Sequence, residues 1–174
     1  MTNKIILLIG PAGVGKTTAS ALLAKKFKRS AVIEVDRLRH SIKSGYISPF
    51  TSAGRGQLEL STKNTCLLSK SFVDAGFNVI IDDCVTDKAR LDLYYRTLKK
   101  YKFLTILLFP NKNVIKKRDG NRTGSARMGE RAFFLHDKFT RRILEEKRWF
   151  MLDNSHLTPT QTVNDIYKII KAKL

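Results

Sequence analysis

The segment GPAGVGKTT, residues 10–18, separates the apolar run IILLI at residues 5–9 from the alanine- and leucine-rich stretch KTTASALLAKKF. An uninterrupted apolar, β-branched run predicts a strand buried on both faces, as in a parallel sheet covered by helices. The stretch that follows has apolar residues near helical spacing and predicts an amphipathic helix. The order of strand, glycine-rich turn and helix therefore predicts the start of an α/β fold.

The glycine-rich turn itself matches a phosphate-binding pattern. Gly10, Gly15, Lys16 and Thr17 fit G-x-x-x-x-G-K-[ST], in which the lysine reaches the β- and γ-phosphates and the hydroxyl helps to hold Mg²⁺. Glycines let the backbone approach an anion closely, and a helix N-terminus carries a partial positive charge. We therefore predict that ATP and Mg²⁺ bind here. The predicted nucleotide ligands are Gly10, Ala12, Gly13, Val14, Gly15, Lys16, Thr17, Thr18 and, from a later segment, Arg118.

Length and composition favour one domain. A chain of 174 residues suffices for a single α/β domain with a full core, so we predict one domain over residues 1–174. No apolar run approaches the ~20 residues that span a bilayer, and the first apolar run lacks a small-residue cleavage site. Cys66 and Cys84 stand in neither a disulfide nor a metal-binding pattern. We expect a cytoplasmic protein without a membrane partner.

The formal charge of +18 predicts anionic ligands. Between residues 112 and 148, 12 lysines and arginines face 5 acids, which makes this region the most basic part of the chain. Such a surface suits a nucleoside triphosphate, a phosphorylated substrate or nucleic acid, and the charge does not choose among them. A solvated face without a dedicated partner is the alternative.

Strands and helices alternate along the whole sequence, which predicts a three-layer α/β sandwich with a five-stranded parallel sheet. The predicted strands cover residues 5–9, 30–36, 77–83, 103–110 and 149–155. The predicted helices cover 16–27, 37–45, 57–75, 87–100, 130–148 and 159–171, with a basic helix and a Gly-rich segment between the fourth strand and residue 130. Ligands of such sheets bind beyond the carboxyl ends of the strands.

Carboxylates occur where two of these strands end. Asp36 ends the second strand and is predicted to be the general base that accepts the proton of an attacking hydroxyl. Asp82 and Asp83 end the third strand and are both candidates for positioning Mg²⁺, with Asp83 also a candidate for the acceptor pocket. Since successive strand residues point to opposite faces, the two acids are not expected to share one role.

Three arginines complete the predicted site. Arg39 is predicted either to bind the acceptor or to orient Asp36. Arg118 and Arg122 belong to a glycine-containing basic segment that suggests a lid over residues 117–130. There Arg122 would stabilise charge on the transferred phosphoryl group and Arg118 would stack on adenine, unless the segment is a solvated basic turn. Asn154 is predicted either to line the base pocket or to cap a helix.

Together these motifs resemble the small P-loop kinases of the nucleoside-monophosphate-kinase fold, over nearly the whole chain. The segment IEVDRLRHSI is similar to polynucleotide kinases, in which the Asp matching Asp36 is the general base and the Arg matching Arg39 contacts the acceptor. The lid pair matches that branch as well. Adenylylsulfate kinases have a comparable Asp-x-x-Arg-His run.

The segments FNVIIDDCVTD, RTGSARM…LHDKF and FMLDNSHLTPTQTVNDI resemble chloramphenicol phosphotransferase, in which the acid matching Asp36 is the base toward a small-molecule hydroxyl. That family has apolar residues after its Asp, whereas this chain has RLRH. The resemblance implies transfer of the γ-phosphoryl group of ATP to a hydroxyl of a small molecule. A polynucleotide 5′-hydroxyl kinase and a nucleic-acid-binding ATPase or nucleotide switch are the alternatives.

Overall fold

Five parallel strands form the central sheet of the protein. The structure, a computed structural model, describes residues 3–121 and 127–174. Across the sheet the strands stand in the order β2-β3-β1-β4-β5, so the first strand lies in the middle. The strands are β1 (Lys4–Ile9), β2 (Ser30–Glu34), β3 (Asn78–Asp82), β4 (Lys102–Leu108) and β5 (Trp149–Leu152). The predicted five-stranded parallel sheet is confirmed.

Helices cover both faces of this sheet. They are α1 (Lys16–Ala24), α2 (Val35–Arg39), α3 (Arg55–Asp74), α4 (Lys88–Leu98), α5 (Lys112–Gly120), α6 (Glu130–Glu145) and α7 (Pro159–Lys173). Ile5, Leu7 and Ile9 pack into one apolar cluster with residues of α3 and α4, whereas Ile6 and Leu8 pack into a second with residues of α1 and α7. The unbroken apolar run of β1 is thus explained by burial on both faces.

The second strand is shorter than its apolar pattern predicts. Pairing between β2 and β3 ends at Glu34 opposite Asp82, and Val35 begins α2. Asp36 therefore lies in the first turn of a short helix and not in a strand, because β3 offers no further partner beyond Asp82. The prediction of a strand over 30–36 is corrected by two residues, and the change turns the side chain of Asp36 outward.

Other boundaries shift by a few residues. The third strand ends at Asp82 and the fifth at Leu152, so Asp83 and Asn154 stand in the loops that follow. Pro159 begins the last helix as predicted, and Thr158 and Gln161 form a capping box with it. In the described ranges no helix has both the length and the apolar character needed to cross a membrane.

Candidate nucleotide-binding and phosphotransfer site

The loop between β1 and α1 has the backbone that a phosphate cradle needs. Gly10 has φ +150°, and a Cβ added there would overlap the carbonyl oxygen of Leu108 in β4. Gly15 has φ +96° and precedes the first residue of α1. Side chains at these positions would strain the loop or push it away from the neighbouring strand. The glycines therefore set the path of the chain that points the first amides of α1 toward a ligand.

The ammonium of Lys16 lies folded over this loop. Its Nζ donates hydrogen bonds to the carbonyl oxygens of Gly10 and Pro11, each at 2.9 Å. Two hydrogen bonds to main-chain oxygens hold the charge at the mouth of the cradle. The lysine is thus positioned where the outer phosphates of a nucleotide would replace these carbonyls as its partners.

A hydroxyl and a carboxylate meet beside the lysine. Thr17 Oγ1 donates to Asp82 Oδ2 at 2.6 Å, and Asp82 is buried at the end of β3. Burial raises the pKa of Asp82, while the nearby charge of Lys16 and the bond from Thr17 act in the opposite direction. Hydroxyl and carboxylate oxygens are hard ligands that Mg²⁺ accepts, with waters and phosphate oxygens completing its shell. This pair fits the metal predicted with ATP.

Asp36 stands close to the same centre. Its charge is near enough to contribute to the raised pKa of Asp82, after the larger effect of burial. Burial raises the pKa of the Cys84 thiol to about 11, and the charge of Asp36 adds to this effect while that of Lys16 opposes it. The Asp36 side chain is 76% exposed, and Arg39 Nη2 donates to its Oδ1 at 2.9 Å. Since Glu34 pairs with Asp82 in the sheet, Asp36 follows by two residues at the same sheet edge, where it presents an accessible carboxylate.

A cavity of about 280 Å³ lies beside the phosphate loop. Arg118 borders it, with Nη1 donating to the Val14 carbonyl at 3.2 Å and Nη2 to the Asn154 carbonyl at 3.0 Å. Burial lowers the pKa of Arg118. Asn154 adds a bond from Nδ2 to the Val14 carbonyl at 3.0 Å. The remaining lining residues are Gly13, Gly15, Thr18, Ala19, Leu157, Pro159 and Thr162.

The cavity shares Gly13, Val14 and Gly15 with the cradle, and the hydroxyl–carboxylate pair begins two residues later at Thr17, so the three features adjoin. This arrangement would suit a nucleotide with its nucleobase in the cavity. Residues 5–133 match a family model described as an AAA domain. The chain belongs to this AAA domain family. Its fold is that of the small P-loop kinases, so the resemblance found in the sequence is confirmed at the level of the fold.

Solved structures of several kinases share the fold of this AAA domain at low sequence identity. Gluconokinase from Sinorhizobium meliloti 1021 has a TM-score of 0.70 and 17% identity, over 98% of this chain and 93% of that chain. Shikimate kinase from Acinetobacter baumannii, solved with shikimate, has a TM-score of 0.68 and 19% identity, over 98% and 94%.

A tunicamycin resistance protein from Deinococcus radiodurans has a TM-score of 0.65 and 19% identity, over 97% of this chain and 95% of that chain. A comparison with curated proteins gave no match. These likenesses establish the fold and leave the substrate to be argued from the site.

The structure gives the two neighbouring acids of the AAA domain different surroundings. Asp83 Oδ2 accepts from Arg90 Nη2 at 2.5 Å and from the Tyr94 hydroxyl at 2.8 Å, and Oδ1 accepts from the Cys84 amide at 2.7 Å. Arg90 and Tyr94 are buried in α4, and burial together with the charge of Asp83 raises the pKa of Tyr94. The geometry favours Asp82 over Asp83 for the metal and gives Asp83 a structural ion pair.

Sequence reasoning missed Arg90 and Tyr94. They follow Asp83 by seven and eleven residues, across the Asp87 cap that begins α4, and no motif links such positions. No local signal separates the buried Arg90 from the exposed Arg96 on the same helix, so the pair with Asp83 could not be found from the sequence. Metal clusters of three or more His, Cys, Asp or Glu side chains are absent from the described parts of the chain.

A buried carboxylate lies near the start of the predicted lid, residues 117–130. Asp119, buried at the end of α5, accepts from the amides of Met128 and Gly129 at 3.0 and 2.7 Å. It thereby holds the beginning of α6 against the end of α5. Arg122, predicted to act on the transferred phosphoryl group, lies outside the described residues, and its role stays a prediction.

The basic region at 112–148 is partly neutralised by local pairs. Lys112 contacts Asp137 at 3.0 Å, Arg142 contacts Glu145 at 2.5 Å, and Arg148 contacts Asp92 at 2.7 Å. These pairs reduce the positive field that this surface presents. Binding of nucleic acid, predicted as a possibility from charge, gains no support from this arrangement.

Proposed function

We propose that this AAA domain protein is an ATP- and Mg²⁺-dependent kinase that transfers the γ-phosphoryl group to a hydroxyl of a small molecule. One observation carries the proposal: Asp36, Lys16 and the Thr17–Asp82 pair are gathered at the carboxyl ends of β1, β2 and β3. Phosphoryl transfer depends mainly on such placement and on charge stabilisation. The cavity beside Arg118 would hold the nucleobase of ATP.

Each residue of the proposed site has its own role in phosphoryl transfer. The loop amides and Lys16 bind the β- and γ-phosphates and stabilise their charge. Thr17 and Asp82 would hold Mg²⁺, which neutralises phosphate charge when bound. Asp36 accepts the proton of the acceptor hydroxyl as its oxygen bonds to the γ-phosphorus. The bond from that phosphorus to the β-phosphate oxygen breaks, and ADP leaves with the electron pair.

Asp36 suits the role of base because its carboxylate is exposed. A small alcohol can reach it from solvent, whereas Asp82 and Asp83 are buried and already accept hydrogen bonds. After α2 the chain exposes apolar side-chain surface at Tyr46, Ile47 and Phe50, which would be available to the carbon skeleton of an acceptor.

The direct test is to follow the label of γ-³²P-ATP with Mg²⁺ in the presence of a pool of small hydroxyl metabolites and, separately, of 5′-hydroxyl oligonucleotides. We expect label in a small organic phosphate, and loss of that product with Lys16→Ala and with Asp36→Asn. Label on the oligonucleotide would favour a polynucleotide kinase instead. Label released only as inorganic phosphate in every mixture would favour an ATPase or switch and contradict the proposal.

A further inference from the structure

Arg39 is buried beneath an exposed acid. Its side chain is 9% exposed, while the side chain of Asp36, three residues earlier on α2, is 76% exposed. Arg39 Nη2 donates to Asp36 Oδ1 at 2.9 Å. The guanidinium thus approaches the carboxylate from the protein side, and the acid shields it from the cleft.

The side chain of Arg39 is enclosed next to an aromatic ring. The Cζ of Arg39 lies 5.9 Å from the centroid of the Tyr46 ring. The centroids of the Tyr46 and His40 rings are 5.2 Å apart. Arg39 Nε is buried and has no hydrogen-bond partner among the described residues. A guanidinium enclosed in this way gains more from its ion pair than a fully exposed one does, because solvent reaches the contact only from the side of Asp36. An acceptor in the cleft meets Asp36 and Tyr46 before it can meet Arg39.

We propose that Arg39 is a positioning residue for Asp36 and does not bind the acceptor. By holding Oδ1 it fixes the rotamer of the carboxylate and leaves Oδ2, which no described residue contacts by a hydrogen bond, directed to the nucleophile. This role rests on the proposed function, since it concerns the base of that reaction. It selects the second of the two roles that the sequence allows for Arg39.

The chain contains a matched control on the same helix. Arg37 Nε pairs with Glu34 Oε2 at 3.0 Å, also three residues apart, but the Arg37 side chain is 80% exposed. The two pairs share their chemistry and spacing and differ in burial and in distance from the site. Arg37→Gln therefore measures what loss of an i,i+3 arginine costs by itself.

Water as the nucleophile separates positioning from acceptor binding without any knowledge of the acceptor. Release of inorganic phosphate from MgATP is measured without an organic alcohol, so a residue that only binds the acceptor has no effect. We expect Arg39→Gln to lower kcat about 10- to 100-fold, the scale of a displaced catalytic group, with KM for MgATP unchanged. Arg39→Lys should recover part of the rate, and Arg37→Gln should match the wild type.

A double-mutant cycle shows whether Arg39 acts through Asp36. If it does, Asp36→Asn with Arg39→Gln releases phosphate no more slowly than Asp36→Asn alone. Thermal unfolding of each variant verifies that the proteins are folded. In addition, the ¹⁵N resonance of Arg39 Nε should move in Asp36→Asn and remain in place in Arg37→Gln, which tests the pair independently of turnover.

The outcomes separate the two proposals. A folded Arg39→Gln variant that releases phosphate at the wild-type rate, while Asp36→Asn is slow, would overturn the positioning role and leave the proposed function intact. Additive losses in the double mutant, or an Arg39 resonance insensitive to Asp36→Asn, would also overturn it. An Asp36→Asn variant that labels the organic phosphate of the transfer assay at the wild-type rate contradicts the proposed function, because Asp36 then activates no nucleophile.

Discussion

The nucleotide side and the acceptor side of the proposed site are built in different ways. On the nucleotide side, main-chain atoms of a glycine loop, the buried Asp82 and a cavity wall fixed by Arg118 define the geometry. On the acceptor side, a five-residue helix and the loop after it present exposed side chains such as Asp36 and Phe50. Backbone geometry is shared by many sequences, whereas exposed side chains change freely. Nucleotide binding can therefore be predicted from the fold, whereas the choice of acceptor depends on side chains particular to this chain.

The largest expected effect concerns the buried ion pair between Asp83 and Arg90. Asp83→Asn keeps the shape of the side chain but leaves the Arg90 guanidinium without its charged partner, although both are buried. We expect the free energy of unfolding to fall by about 3–5 kcal/mol, as when one partner of a buried pair is lost. Urea unfolding at pH 7 measures this. A loss below 1 kcal/mol would mean that the network contributes little, and Lys63→Gln, which disrupts an exposed pair with Glu59, is the matched control.

Next in size is the loss of the nucleotide-side cation. Lys16→Ala removes the ammonium that would stabilise the β- and γ-phosphates, so we expect phosphoryl transfer to slow roughly 10²- to 10³-fold with little change in stability. Transfer from labelled ATP and a thermal unfolding curve check the two parts. Lys25→Ala, an exposed lysine just after α1, serves as the control for a general loss of charge. Full activity in Lys16→Ala would refute the assignment.

A smaller effect tests the backbone of the phosphate loop. Gly10→Ala forces a side chain into a φ of +150° and against the Leu108 carbonyl, so we expect a loss of about 1–3 kcal/mol in unfolding free energy. Gly56→Ala is the control, because Gly56 lies in the first turn of α3 with open space around its Cβ position. There the substitution should stabilise by about 0.4–1 kcal/mol. Equal denaturant midpoints for the two variants would show that the loop tolerates a side chain.

The smallest effect concerns pH and the metal. Because burial raises the pKa of Asp82, the folded state binds its proton more tightly than the unfolded state does. The unfolding free energy contributed by this group therefore falls as pH rises from the unfolded pKa through the folded one. Without nucleotide, Asp82→Asn should be more stable than the wild type by about 0.5–2 kcal/mol at pH 8, with the difference vanishing in acid.

The same variant should bind MgATP more weakly, because an amide oxygen carries no charge for the ion. Asp87→Asn, which alters an exposed acid at the start of α4, controls for the loss of a negative charge. Calorimetric titration with Mg²⁺ and ATP measures the affinity. If Asp82→Asn bound MgATP as tightly as the wild type, the metal assignment would be wrong.

Sequence reasoning predicted the strand, the glycine-rich turn and the helix at the start of the fold, because these elements depend on local pattern. A strand, a glycine loop and a helix are contiguous, and the resemblance to P-loop kinases extends over the chain. The acids were harder to assign, since whether Asp36 belongs to a strand depends on where the neighbouring strand ends. The roles of Asp83 and Arg39 depend on burial and on distant partners such as Tyr94 and Tyr46. An apolar run predicts its own burial, as in β1, but the burial of a single charged side chain depends on tertiary packing that spacing along the chain does not encode.

Arg118 joins α5 to the phosphate loop and to the segment after β5 through two main-chain carbonyls, those of Val14 and Asn154. Every residue type carries such an oxygen. Neighbouring side chains such as Leu157 and Thr162 can therefore be exchanged during evolution without dismantling the bridge. If the cavity holds a nucleobase, as proposed, its preference for one base over another can change by point substitution while the bridge made by Arg118 persists.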